Sequence, residues 1–167
     1  MIFRENQLEF NFTGALSVEK LDQPGQTLPE GMKFVDFVVE TEDSVLLIEV
    51  KDPSNTHALQ QTRVEFINRM HSDTLVVKEL VPKCRDSYTY LHLMERDGKP
   101  FTYIVLICLE NLNFDPRLLP VVTTKLRARL NKEGEQPWRR TYISNCQIID
   151  CERWNRVMPY PVKRVVT

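Results

Sequence analysis

Asp36, Glu49 and Lys51 are the residues of this chain whose types and spacing could do chemistry. They lie in two apolar, β-branched runs that flank Glu40-Thr41-Glu42-Asp43-Ser44, which predicts a β-hairpin with Glu42-Asp43 at its tip. In that register Thr41 faces Ser44, Glu40 faces Val45 and Asp36 faces Glu49. Side chains alternate along a strand, so Phe34, Asp36, Val38 and Glu40 share one face, as do Val45, Leu47, Glu49 and Lys51. Directly opposed residues carry their Cβ atoms roughly 4.5–5.5 Å apart, and two carboxylates at that distance require something positive between them. Two arrangements supply it. Lys51 can pair with either carboxylate on a solvated edge. Alternatively, Asp36 and Glu49 ligate a divalent cation, the Val50 carbonyl adds an oxygen and Lys51 stands beside the bound water. A hard ion such as Mg²⁺ takes one or two carboxylates and shares the rest of its shell with water and phosphate, an arrangement that suits phosphodiester hydrolysis.

Asp36, a spacer of strand and turn, then Glu49-Val50-Lys51 resembles the motif of the PD-(D/E)XK nuclease superfamily, which includes restriction endonucleases, repair exonucleases and junction resolvases. The context is similar too: Asp36 sits within a hydrophobic strand, Glu49 and Lys51 end a second one, and a helix-like segment follows. The resemblance implies a restriction-endonuclease-like fold, a mixed β-sheet core flanked by helices with the central hairpin carrying the motif. It implies that Asp36 and Glu49, with Val50, bind Mg²⁺, for which Mn²⁺ would substitute, and that Lys51 orients the attacking water. The implied activity is hydrolysis of nucleic acid, DNA in preference to RNA, with a homodimer or a protein partner helping to engage it. The alternative is a nuclease-like fold that has lost its chemistry and serves in nucleic-acid or protein binding. Val35 stands where the motif's name puts Pro. Gln60 and Gln61 are followed four residues on by Val64 and Glu65, so the Q-x-x-x-Y pattern of the recombination-exonuclease branch is not met. An additional acidic ligand would come from Glu19 or Asp22.

The 167 residues, 42% of them hydrophobic, suffice for one well-cored domain spanning 1–167 and are short for two. No apolar run reaches membrane-spanning length, and MIFRENQLEF is too polar for a signal peptide, so a soluble cytoplasmic protein with no membrane partner is expected. Cys84, Cys108, Cys146 and Cys151 form no C-x-x-C pair and read as reduced thiols. The net charge of −1 excludes an indiscriminate polyanion binder. Yet Arg117 to Arg164 holds eleven Lys or Arg against four Asp or Glu, which is either a phosphate-attracting half or a solvated face.

The elements that must position the motif follow in order. Leu8 to Phe12 predicts a short strand, Ala15 to Leu21 a short helix presenting Glu19, and Leu28-Pro29-Glu30-Gly31 a loop into the hairpin. Ser54 or Asn55 is expected to cap the next helix, with Leu59, Phe66, Ile67 and Met70 as its apolar stripe. Between Asp73 and Glu95, Tyr88, Tyr90 and His92 either stack on nucleic-acid bases or, the favoured reading, form one face of a strand. Phe101 to Leu109 predicts a strand buried on both faces, central in the sheet. Asp115-Pro116 opens a helix with Leu119, Val122, Leu126 and Leu130 inward, ended by Gly134. Thr141 to Ile149 reads as a last strand and Glu152 to Arg156 as a short terminal helix. This order predicts an α/β or α+β sandwich.

Overall fold

The computed structural model describes residues 1–25 and 28–165. Its centre is the expected hairpin: β4 (Phe37–Glu40) pairs antiparallel with β5 (Val45–Lys51), with Phe37 opposite Ile48 and Glu40 opposite Val45. The Thr41 amide donates to the Ser44 carbonyl at 2.9 Å and closes the turn. Val38, Val45 and Leu47 face one hydrophobic cluster, while Phe37, Val39, Leu46, Ile48 and Val50 face another. The alternation read from the sequence is therefore the one that divides the core.

Three further strands complete a five-stranded mixed sheet in the order β3-β4-β5-β6-β7. Ser17–Lys20 is strand β3, antiparallel to β4, and not the expected helix. Four residues form too little helix to hold itself together, whereas the open edge of β4 offers this segment a full ladder of hydrogen bonds. β6 (Phe101–Ile107) runs parallel to β5, and β7 (Asn145–Ile149) parallel to β6. β6 is buried as expected, but the addition of β3 makes β5 the middle strand.

One face of this sheet is covered by α1 (Gln60–His71), α2 (Val81–Leu93) and α3 (Leu119–Asn131). The other is covered by a three-stranded antiparallel sheet of β1 (Ile2–Glu5), β2 (Leu8–Asn11) and β8 (Val162–Arg164), together with α4 (Cys151–Val157). Between the sheets Phe10, Phe12, Phe37, Trp154 and Tyr160 interlock, with ring centroids 5.3–5.7 Å apart. The molecule is thus a mixed α+β structure whose helices lie mostly on one side. Among the described residues no helix is long and apolar enough to cross a membrane.

Local expectations fared unevenly. All four stripe residues of α3 are buried, and Asp115 caps the single 3₁₀ turn that leads into it, its carboxylate accepting from the Arg117 amide. α3 stops at Asn131, short of Gly134, and β7 begins four residues after Thr141. α1 starts at Gln60 with no side-chain cap, because Ser54 donates to the Cys108 and Glu110 carbonyls and Asn55 accepts from the His57 amide instead. The strand read around Tyr88, Tyr90 and His92 is helix. A wide π turn at Val76–Leu80 leads into α2, and Leu80, Cys84, Ser87 and Leu91 are its buried stripe. Pro82 falls in the first turn of α2, where a missing amide hydrogen is tolerated.

Candidate active site

Asp36 immediately precedes β4, and continuing the register of the hairpin sets it opposite Glu49. Both belong to the face of the sheet that carries the helices. Glu49 is fully buried and Asp36 nearly so. The Asp36 carboxylate turns back across the hairpin and accepts from the Val50 amide at 2.6 Å. Carbonyls alternate sides along a strand, and that of Lys51 accepts from the Cys108 amide on the β6 side. The Val50 carbonyl therefore points the other way, toward Asp36. The sequence thus brings Asp36, Glu49, Val50 and Lys51 to one place.

Their company is richer than the hairpin alone reveals. Lys51 Nζ lies 2.6 Å from Glu49 Oε1, and Lys83 Nζ from α2 lies 2.9 Å from the same oxygen. Lys51 also binds Glu79 from the π turn, and Arg69 of α1 holds the other oxygen of Glu79. Lys83 reaches on to Asp22 Oδ2 at 3.1 Å. Of the two additional acids expected, Asp22 therefore touches the cluster, while Glu19 pairs with Arg96 at 2.7 Å. Sequence reasoning missed Glu79 and Lys83. They are four residues apart, one helical turn, and the buried stripe at 80, 84, 87 and 91 is the signal that would have placed them on one helix.

The electrostatics are uneven. Burial, followed by the Glu49 charge, pushes the Asp36 carboxyl up to about 7 against the pull of Lys83 and the Val50 amide. Burial acts the same way on Glu79, but Lys51 and Arg69 outweigh it and bring that carboxyl down to about 2. For Lys83, burial is outweighed by Glu49 and Asp36, so its ammonium is held more tightly than usual, and Lys51 follows suit. Two ammonium groups lie at ion-pair distance from Glu49 Oε1, yet neither buried oxygen of this carboxylate has a hydrogen-bond partner of good geometry among the described residues.

A buried carboxylate without well-aligned hydrogen bonds, a second buried carboxyl opposite it and a backbone carbonyl on the Asp36 side of the strand are an oxygen donor set that fits a hard divalent cation. Elsewhere, the basic character of the later chain gathers at a cleft of about 480 Å³ between α3, β7 and α4, lined by Arg117, Arg127, Arg153 and Arg156. The chain matches no protein-family model, no curated protein and no solved structure.

Proposed function

We propose that this protein is a Mg²⁺-dependent nuclease with a restriction-endonuclease-like fold that hydrolyses DNA phosphodiesters. The observation that carries the reading is the convergence of Asp36, Glu49 and Lys51, with both buried oxygens of Glu49 short of a well-aligned hydrogen bond. The topology is similar to what the resemblance implies: a central hairpin, then helices, then β6 returning parallel to β5. Asp36, Glu49 and the Val50 carbonyl would hold the cation. When bound, Mg²⁺ lowers the pKa of a water and neutralises charge on the phosphate. Lys51 is fixed from two sides by Glu49 and Glu79, so its ammonium is preorganised to orient that water and offset developing negative charge. Glu79, kept ionised by Lys51 and Arg69, is the positioning residue for Lys51. Arg69, partly exposed at the rim, is available to a phosphate. The arginine-lined cleft adds positive surface for a polyanion.

A second reading rests on Lys83. Its ammonium already compensates Glu49, as an ion network in a non-catalytic binding or assembly module would. Calorimetric titration of Mn²⁺ into wild type and the Asp36→Ala, Glu49→Ala double variant separates the two, with folding checked by circular dichroism. The nuclease reading expects binding to wild type, loss of binding in the folded variant, and loss of Mg²⁺-dependent cleavage of DNA with it. Absence of cation binding to wild type, with and without DNA, overturns it in favour of the module.

A further inference from the structure

On the far side of β6 from the helices, Cys108 follows the last residue of that strand and Cys151 opens α4. Their sulfurs are 2.6 Å apart, against about 2.05 Å for a covalent bond. Cys108 is buried, but Cys151 is partly exposed on a cleft of about 260 Å³ that Glu110, Glu152 and Asn155 also line. The cleft admits a small oxidant to Cys151 first. The Glu110 carboxylate lies within 4.8 Å of both sulfurs.

We infer that Cys108 and Cys151 are a modification site, a dithiol that a hydroperoxide converts into a reversible disulfide. Hydrogen peroxide oxidises the Cys151 thiol to a sulfenic acid and releases one water. The Cys108 sulfur then attacks the Cys151 sulfur, the S–S bond forms, and the leaving hydroxide takes up the proton of Cys108 to give a second water. Two thiols and one peroxide yield one disulfide and two waters, and a thiol reductant reverses the change. A thiophilic cation bridging the same atoms is the less favoured use of the pair. Two thiolates on tetrahedral zinc stand roughly 3.7 Å apart, and Arg164 already engages one oxygen of Glu110.

The site is wired to the hairpin. The Cys108 amide donates to the Lys51 carbonyl, and the Cys108 carbonyl accepts from Ser54, so the pair fastens the turn that follows Lys51. Closing a loop of 43 residues should also raise the midpoint of thermal unfolding by about 10 °C.

The test treats the full chain with hydrogen peroxide, blocks residual thiols with N-ethylmaleimide, and maps peptides by mass spectrometry without reduction. A Cys108–Cys151 cross-link, a rise in the unfolding midpoint reversed by dithiothreitol, and loss of both in Cys151→Ser are expected. Cys151 recovered as sulfinic acid or still free, with Cys108 alkylated, overturns the inference. So does stoichiometric zinc that shields both thiols from peroxide. Should Cys151→Ser fail to fold, the wild-type peptide map alone decides.

Discussion

Two acidic residues three positions apart, Glu49 and Asp52, are both almost wholly withdrawn from water and both paired with cations, yet they are held in opposite ways. Asp52 meets the guanidinium of Arg164, which donates to Oδ1 at 2.8 Å and to Oδ2 at 3.0 Å, so both oxygens are satisfied by one planar fork. Glu49 meets two ammonium groups, each at ion-pair distance from Oε1, and neither of its buried oxygens gains a hydrogen bond of good geometry among the described residues. The first arrangement is complete and has nothing left to offer. The second is incompletely hydrogen-bonded, next to an Asp36 carboxyl that burial and the Glu49 charge push up to about 7. A planar guanidinium matches both oxygens of a carboxylate at once, whereas an ammonium acts as a point charge. That difference in geometry separates the two pairs.

The largest expected effect on this contrast comes from Asp36→Asn in cation-free protein. The Asp36 carboxyl titrates at about 7 in the fold against an ordinary 3.8, so the folded state holds the extra proton between about pH 4 and 7, and stability falls as pH rises through that window. Glu79 works in the other direction, contributing stability above its ordinary 4.5 that is lost as pH falls through about 2. Asparagine can still accept from Val50 but carries no charge. Urea unfolding at pH 8 should therefore show the variant more stable than wild type by roughly 2–4 kcal/mol, with little difference at pH 4. A wild type equally stable at both pH values would mean that Asp36 is adequately neutralised as it stands.

Next in size, Asp52→Asn should destabilise the protein by about 2–3 kcal/mol, because it leaves Arg164 short of its partner. Mn²⁺ affinity should move by less than about twofold. A large loss of cation binding would erase the distinction between the two carboxylates. Lys83→Met sharpens it from the other side: removing one of the two competing ammonium groups should raise Mn²⁺ affinity about tenfold in calorimetry. Weaker binding would show that Lys83 supports the cation and does not stand in for it. The smallest effect belongs to Glu19→Gln. Glu19 and Arg96 form a partly exposed pair, and its loss should change stability by less than about 0.5 kcal/mol and leave Mn²⁺ binding unaltered.

The hairpin was legible because its information is local. Two β-branched runs, a Thr-Ser turn and a period of two fix the register, and the register alone sets Asp36 against Glu49 and Lys51. α3 was legible for the same reason, from its Asp-Pro start and its period of 3.6. What escaped the sequence depends on distant partners. β3 is a strand only because β4 has a free edge for it, and β1 and β8 exist because β2 lies between them. α2 was obscured by Pro82 and by aromatic residues two apart that mimic a strand. In fact Tyr88 and His92, one turn apart, stack with ring centroids at 5.9 Å. Mistaking that helix hid Lys83, and the wide turn before it hid Glu79, so Asp36, Glu49 and Lys51 were readable and the two residues that complete their ion network were not.

Strand β5 carries a longer consequence. Its residues face two different neighbourhoods in turn: Val45, Leu47, Glu49 and Lys51 look to the helices, while Leu46, Ile48 and Val50 look to the small sheet. These are two interleaved texts on one strand. The even-numbered text packs against the small sheet and its aromatic cluster, so it should tolerate exchange among apolar residues of similar volume. The odd-numbered text holds the acid and the base. Exchanging Glu49, Lys51 and Lys83 together for an apolar set would leave the even-numbered residues, and the packing between the sheets that they make, unchanged.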